Sequence, residues 1–500
     1  MENILLRASL ICLLMAISLS SSALRKREFR GAWIQCVNGQ FQGLGMEKMK
    51  QTLSYQLDEL KKDGVNAIIF QVRAECDALY PSHYEPWSRF LTGQQGLPPN
   101  PYWDPLKWMI DECHKRGMEL HAWINPYRAK TKTTTTLGTN HIALSHPETV
   151  FAYDGQLILN PGMPENRDYI CKVVDDIVKR YDVDGIHMDD YFYPYPVAGA
   201  SIPDADLFIR YRGAANTVSD WRRNNVNAFV KQLSTTIHKR KPWVKFGVSP
   251  FGIYRNKAND PNGSDTRGLQ NYDDLYADVL LWVNQGWIDY CVPQIYWQIG
   301  HPTADYATLI KWWDTHATNR PLFIGEDVER TVKYADPQNP NSHQLPAKHA
   351  LHEQMNHANG SVLWYAKAVV DNIGNYGGVL RTNYWRYPAL TPLMPFLDNK
   401  APSAPRKLKA IHMVDGSHML FWTEPKAKTS GDSVSRYVVY RFEQGEKIDL
   451  DNPAKIQTVT PTTFFKLPAQ SVIPEKCTYV VTALDRVGNE SKGKKVKVRL

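Results

Sequence analysis

The chain predicts an α/β fold, a (β/α)8 TIM barrel, followed by a small all-β sandwich. Strand-like and helix-like patterns alternate eight times over roughly 370 residues, as the eight units of one barrel with long insertions would. The strand candidates are near-continuous apolar runs separated by amphipathic helices, which is the mark of parallel pairing. Beyond residue 400 the pattern changes to short strands with turn residues between them.

In order, the strand candidates are 29–35, 67–73, 119–125, 185–190, 245–250, 290–296, 322–325 and 362–366. Helical periodicity marks 46–62, 105–116, 167–181, 219–240, 271–285 and 306–315. A doubly wound open sheet would want a Gly-rich phosphate loop after its first strand, and none follows residue 35. This assigns 28–397 to the barrel. Ala401-Pro402-Ser403-Ala404-Pro405 reads as a linker between two independent cores. The segments 408–412, 418–422, 436–441, 462–466, 477–485 and 494–500 then read as strands of a sandwich over 401–500. That region resembles a fibronectin type III module in its Tyr479-to-Asp485 run, its Gly488-Asn489-Glu490-Ser491 turn and its early Trp422.

The first 23 residues have the form of a signal peptide. Arg7 precedes an apolar stretch over 8–19, and Ser20-Ser21-Ser22-Ala23 offers small residues for cleavage. The stretch is too short for a membrane span, and no later segment qualifies. The expected product is exported to the periplasm or cell surface, with no transmembrane segment. Six cysteines remain after Cys12, without metal-site spacing, so neither a metal nor another cofactor is expected. Of the net charge of +8, residues 401–500 carry +7. That suits solubility or an anionic surface and gives no sign of nucleic-acid binding.

The chemistry points to Asp189 and Asp190. They close the apolar run Val183-Asp184-Gly185-Ile186-His187-Met188, and Tyr191, Phe192, Tyr193 and Tyr195 follow. Carboxylates at the carboxyl end of a barrel strand stand where such barrels keep their active sites. Carboxylates ringed by aromatics are what glycosidic cleavage requires; the plainer reading is a helix cap or an ion pair. Other strand ends carry Arg73, Asp77, Trp123, Asn125, Tyr127, Gln294, Tyr296, Trp297, Glu326 and Trp385. These types suit sugar hydroxyls and sugar faces. Strand alternation puts His187, Asp189 and Tyr191 on one face, which ranks Asp189 above Asp190.

Several of these segments together resemble the glycosyl hydrolase-like family ten. They are Arg30-Gly31-Ala32-Trp33, Gln71-Val72-Arg73 with Asp77-Ala78-Leu79-Tyr80, the 121–127 and 184–191 runs, Gly247-Val248-Ser249-Pro250-Phe251-Gly252 and Pro293-Gln294-Ile295-Tyr296-Trp297. The resemblance implies an exported bacterial TIM barrel and a member activity on peptidoglycan glycan strands stripped of their peptides. The 184–189 run also resembles the strand-four segment of alpha-glycosidases, which would make Asp189 the nucleophile. Against the chitinase pattern, Tyr191 stands where the acidic Glu would be.

The expectation is therefore a glycosidase acting on a polysaccharide, foremost a peptidoglycan glycan strand. Asp189, Asp190 and Glu326 are its catalytic candidates, with Asp327, Asp77 and Glu75 as other possible partners. Arg73, Asp77, Trp123, Asn125, Tyr127, His187, Tyr191, Gln294, Tyr296, Trp297 and Trp385 are the candidate substrate-binding residues. The rivals are a non-catalytic carbohydrate-binding barrel, a hydrolase of a dietary or host polysaccharide, and a metal-dependent phosphoesterase or deacetylase.

Overall fold

A computed structural model describes residues 25–415, 417–427, 432–468 and 476–500; the expected signal peptide lies outside them. Eight parallel strands close a barrel in chain order. They are β1 (Phe29–Ile34), β2 (Ala67–Arg73), β3 (Glu119–Ile124), β4 (Gly185–Met188), β5 (Lys245–Val248), β6 (Tyr290–Cys291), β7 (Leu322–Asp327) and β8 (Ala358–Trp364). Helices α1 (Met46–Lys62), α2 (Pro105–Lys115), α3 (Pro164–Arg180), α4 (Val218–Arg240), α5 (Val279–Asn284), α6 (Tyr306–His316) and α7 (Leu345–Glu353) lie between strands. Helix α1 buries Met49, Leu53, Leu57 and Leu60 on one stripe, the spacing of an amphipathic helix. Helix α2 starts at Pro105, and the Asp104 carboxylate accepts the Lys107 N–H at 3.0 Å, so both ends of its first turn are satisfied.

Three elements depart from expectation. Strand β6 spans two residues because Pro293 has no N–H to extend its ladder. The helix expected over 271–285 splits into Asn271–Asp274 and α5, with Tyr276 between them at φ 55°. Extra antiparallel strands Arg128–Lys130, Val150–Tyr153 and Gln156–Leu159 form a small sheet in the long β3–β4 connection. Among the described residues, no helix is long and apolar enough to cross a membrane. All six described cysteines are buried, and no disulfide joins them.

The barrel interior is filled with rings. Phe29 stacks on Phe323 at 4.2 Å, and the Tyr290 hydroxyl lies 2.6 Å from His121 Nδ1 and 3.1 Å from His187 Nδ1. Gly247 makes room for Tyr290, since a Cβ there would overlap its ring. At the amino-terminal end, Glu119 is fully buried. Lys245 Nζ donates to both its oxygens at 2.6 Å, and Thr391 Oγ1 donates at 2.8 Å. Burial opposes this carboxylate's charge, but Lys245, His121 and Arg436 outweigh it and hold Glu119 well below the usual range.

Strands β9 (Arg406–His412), β10 (His418–Thr423), β11 (Arg436–Glu443), β12 (Ile456–Thr460), β13 (Phe464–Lys466), β14 (Lys476–Leu484) and β15 (Lys494–Arg499) form two antiparallel sheets. One has the order β9-β10-β13 and the other β12-β11-β14-β15. Leu420, Trp422, Tyr437, Val439, Tyr479 and Val481 pack between them. The sandwich thus has a core of its own, and it also packs against the barrel. The outer face of the four-stranded sheet (Val438, Tyr440, Val480, Leu484) packs on Leu390 at the base of the barrel. From β11, Arg436 Nη2 reaches Glu119 at 3.2 Å, and Arg27 donates to the Gly488 carbonyl at 2.9 Å.

Candidate active site

At the carboxyl-terminal mouth of the barrel, β4 ends at Met188 and the chain turns, leaving both following carboxylates in the opening. Asp189 is held from β3: Trp123 Nε1 donates to Oδ2 at 3.0 Å, and Asn125 Nδ2 lies 3.2 and 3.3 Å from its two oxygens. Burial raises its pKa, while the positive charge of Arg128 and these donors pull it back. Asp190 accepts a hydrogen bond from the Tyr195 hydroxyl. Its burial, and then the charge of Asp189, push it up to about 7, against the hydrogen bonds from Tyr195 and Gln294. The environments therefore differ: Asp189 has fixed N–H donors, and Asp190 is poised to carry a proton near neutral pH.

Aromatic rings wall the opening. Tyr296 stacks on Trp364 at 6.2 Å, and Trp364 meets Trp123 edge-on at 6.2 Å. Phe251 meets Trp297 at 5.4 Å and Tyr195 at 6.1 Å. Tyr191, 39 % exposed, stacks on Tyr195 at 5.4 Å, and the Arg128 guanidinium lies 5.1 Å from its ring. Gln294 Nε2 also donates to the Ser249 carbonyl at 2.8 Å. His187 lies beneath the pair and is fully buried. Its Nε2 is 3.3 Å from Trp33 Nε1 and 3.0 Å from Ser249 Oγ. Burial, and then His121, hold its imidazole well below the usual range, so it stays neutral.

Five sequence candidates stand elsewhere. Glu326 shares the outward parity of Leu322 and Ile324 on β7, so it faces the helices. There it accepts from the Tyr306 hydroxyl and from Lys348 Nζ at 3.2 Å. Arg73 is fully buried and bound to Glu85 at 2.6 Å. Asp77 turns back to accept the backbone N–H groups of Ala74 and Glu75 at 3.3 and 3.0 Å. Tyr127 packs on Phe229 of α4 at 5.2 Å. Trp385 lies near the amino-terminal end, with the Arg30 guanidinium 5.3 Å from its ring. Position at a strand end does not tell which way a side chain turns. Trp364 went unnamed because the strand expected over 362–366 put it mid-strand, whereas it closes β8; Trp33, next to last in β1, was quoted only within the 30–33 segment.

Among the described residues, no group of three or more His, Cys, Asp or Glu is arranged to hold a metal ion. The arrangement offers a proton donor, a second carboxylate held by N–H donors and a stacking surface in one opening, which is what glycosidic cleavage uses.

Comparison with known proteins agrees. Residues 28–341 match the family described as glycosyl hydrolase-like 10. "Glycosyl hydrolase YngK" of Bacillus subtilis is 41 % identical over 490 residues, covering 96 % of this chain and 95 % of that protein. "Glycosyl hydrolase DigH" of Escherichia coli K12 is 43 % identical over 288 residues, 55 % of this chain and 65 % of its own length. The solved glycoside hydrolase domain of PgaB (BpsB) from Bordetella bronchiseptica aligns at a TM-score of 0.45 and 11 % identity, over 71 % of this chain and 98 % of that one.

Proposed function

We propose, because the chain belongs to the glycosyl hydrolase-like 10 family and is a glycosidase, that Asp189 and Asp190 carry out the cleavage and that the substrate is a peptide-stripped peptidoglycan glycan strand. The observation that carries the assignment is the pair itself: two buried carboxylates in one aromatic-walled opening, one held by N–H donors and the other raised to about 7. Asp190 is the proton donor to the leaving oxygen. Asp189 is the charge at the reacting centre.

The substrate reading is supported by Arg128. Stripped strands display a lactyl carboxylate on alternate sugars, and the positive charge of Arg128, largely buried behind Tyr191 with its Nε on the Ala74 carbonyl, favours them over neutral glycans. Two other arginines are paired within the protein, Arg73 with Glu85 at 2.6 Å and Arg381 with Asp63 at 3.6 Å. The positive charge of Arg7 and the apolar stretch 8–19 support export to the periplasm or cell surface. The three-on-four sheet order supports a fibronectin type III-like module at the C-terminus.

The experiment compares product release from amidase-treated wall, untreated wall, chitin oligomers and a neutral alpha-glucan. Fastest release is expected from amidase-treated wall. Rapid release from the glucan with none from stripped wall would overturn the cell-wall substrate and leave the glycosidase.

A further inference from the structure

Where the sandwich meets the base of the barrel, a cavity of about 140 Å³ lies between the two units. Lys61 and Lys62 from the last turn of α1, Arg386, and Arg436 of β11 line it, with Trp385 and Leu390 as apolar walls. Among the described residues that line it, none is Asp or Glu. These cations are engaged to different degrees. Lys62 is exposed and pairs with Glu59 at 2.5 Å, which supplies the positive charge that a helix C-terminus favours. Arg386 is exposed, with its guanidinium 5.4 Å from the Tyr387 ring. Arg436 gives Nη2 to Glu119 at 3.2 Å and leaves Nε buried without an acceptor among the described residues. Lys61 is partly buried, and among the described residues no hydrogen bond or ion pair holds its ammonium. The nearby carboxylates are already answered. Glu119 is shared by Lys245 and Arg436, two cations on one anion. Asp184, the other carboxylate on which Arg436 acts, is held by His114 at 2.8 Å.

We propose that this cavity binds a compact oxyanion of the phosphate class between Lys61 of α1 and Arg436 of β11, and that the bound ion ties the sandwich to the barrel. An ammonium shielded from bulk water is costly without a counter-ion, and charge-assisted hydrogen bonds offset that cost. Enclosure, and then the like charge of Arg436, bring the Lys61 amine down to about 8, the direction an unanswered cation takes. A phosphate group carries close to two negative charges at neutral pH and has acceptors on several sides, so one ion meets both cations. A cavity of roughly 150 Å³ holds a single benzene-sized guest. This one therefore admits the phosphate group alone, either as a free ion or as the end of a larger molecule whose remainder stays in solvent. The site is at the opposite end of the barrel from Asp189 and takes no part in the proposed cleavage.

The test is calorimetric titration of the full-length protein with inorganic phosphate at fixed ionic strength, with Tm as a second reading. Saturable binding and a rise in Tm are expected. Lys61→Met keeps the stem and removes the charge. It should weaken phosphate binding by about tenfold or more and leave glycan cleavage at the parent rate. Lys107→Met removes an exposed α2 lysine paired with Asp111 at 2.5 Å and should leave phosphate affinity unchanged. A sugar monophosphate that also binds assigns a terminal phosphate group, and one that does not assigns the free ion; both uphold the site. No saturable binding of either, or equal affinity in Lys61→Met and the parent protein, would overturn it. If Lys61→Met does not fold, crystals of the parent protein grown with selenate decide. Anomalous scattering between Lys61 and Arg436 upholds the site, and a cavity without it overturns the proposal.

Discussion

At the scale of single residues, the two aspartates are separated by what touches them. Asp189→Asn keeps the shape and the donors but removes the charge, so turnover should fall by roughly three orders of magnitude or more with near-normal folding. An activity within about threefold of the parent protein would move the role to Asp190. The second prediction concerns pH. Asp190 must carry its proton to act as acid, so kcat/KM should fall as pH rises through about 7. The Tyr195 hydrogen bond favours the ionised form and lowers that value, behind the larger effect of burial. In Tyr195→Phe the limb should therefore move to higher pH; a shift to lower pH would contradict the assignment. Strand parity ranks Asp189 above Asp190 in the sequence. It was not enough for Arg73, Asp77 or Glu326, because their partners Glu85, the backbone of 74–75 and Lys348 come from folding back of the chain or from helices whose azimuth no local pattern reveals.

At the scale of elements, the apolar runs located all eight strands, since burial on both faces leaves a strong signal. The ends were less legible. Strand β4 stops two residues early because Asp189 and Asp190 leave the ladder, and β6 is cut short before Pro293. The break at Tyr276 rests on tertiary contacts, among them Arg222 donating to the Tyr276 hydroxyl at 2.7 Å. Two strands are latched to the helix layer in the same way. Asp184 accepts from His114 Nε2 and the Leu120 N–H at 2.8 Å, and Asp289 accepts from His238 Nε2 at 2.9 Å and the Phe246 N–H at 2.7 Å. The element most sensitive to added volume is β5, where Gly247 faces the Tyr290 ring. Gly247→Ala should cost about 3 kcal/mol by forcing that ring from its place between His121 and His187. Urea unfolding measures it, and a loss below about 0.5 kcal/mol would mean the ring moves freely.

At the scale of the whole molecule, the base of the barrel is finished by the second unit. Composition and pattern revealed a sandwich, but nothing in the sequence announced that Arg436 would cross to Glu119. Removing one partner of a buried ion pair is costly, so Arg436→Met should lower stability by about 3 kcal/mol in denaturant titration. An unchanged midpoint would show that Lys245 alone satisfies Glu119. The partners of this contact stand 317 residues apart in the chain. Since synthesis runs from the amino end, the barrel strands all emerge before β11 does. A nascent or truncated chain thus holds the barrel strands with Lys245 against Glu119 but without the second cation, Arg436. A chain shortened by its final hundred residues would leave Leu390 without the cover of Val438, Tyr440, Val480 and Leu484, an apolar patch newly open to water at the base.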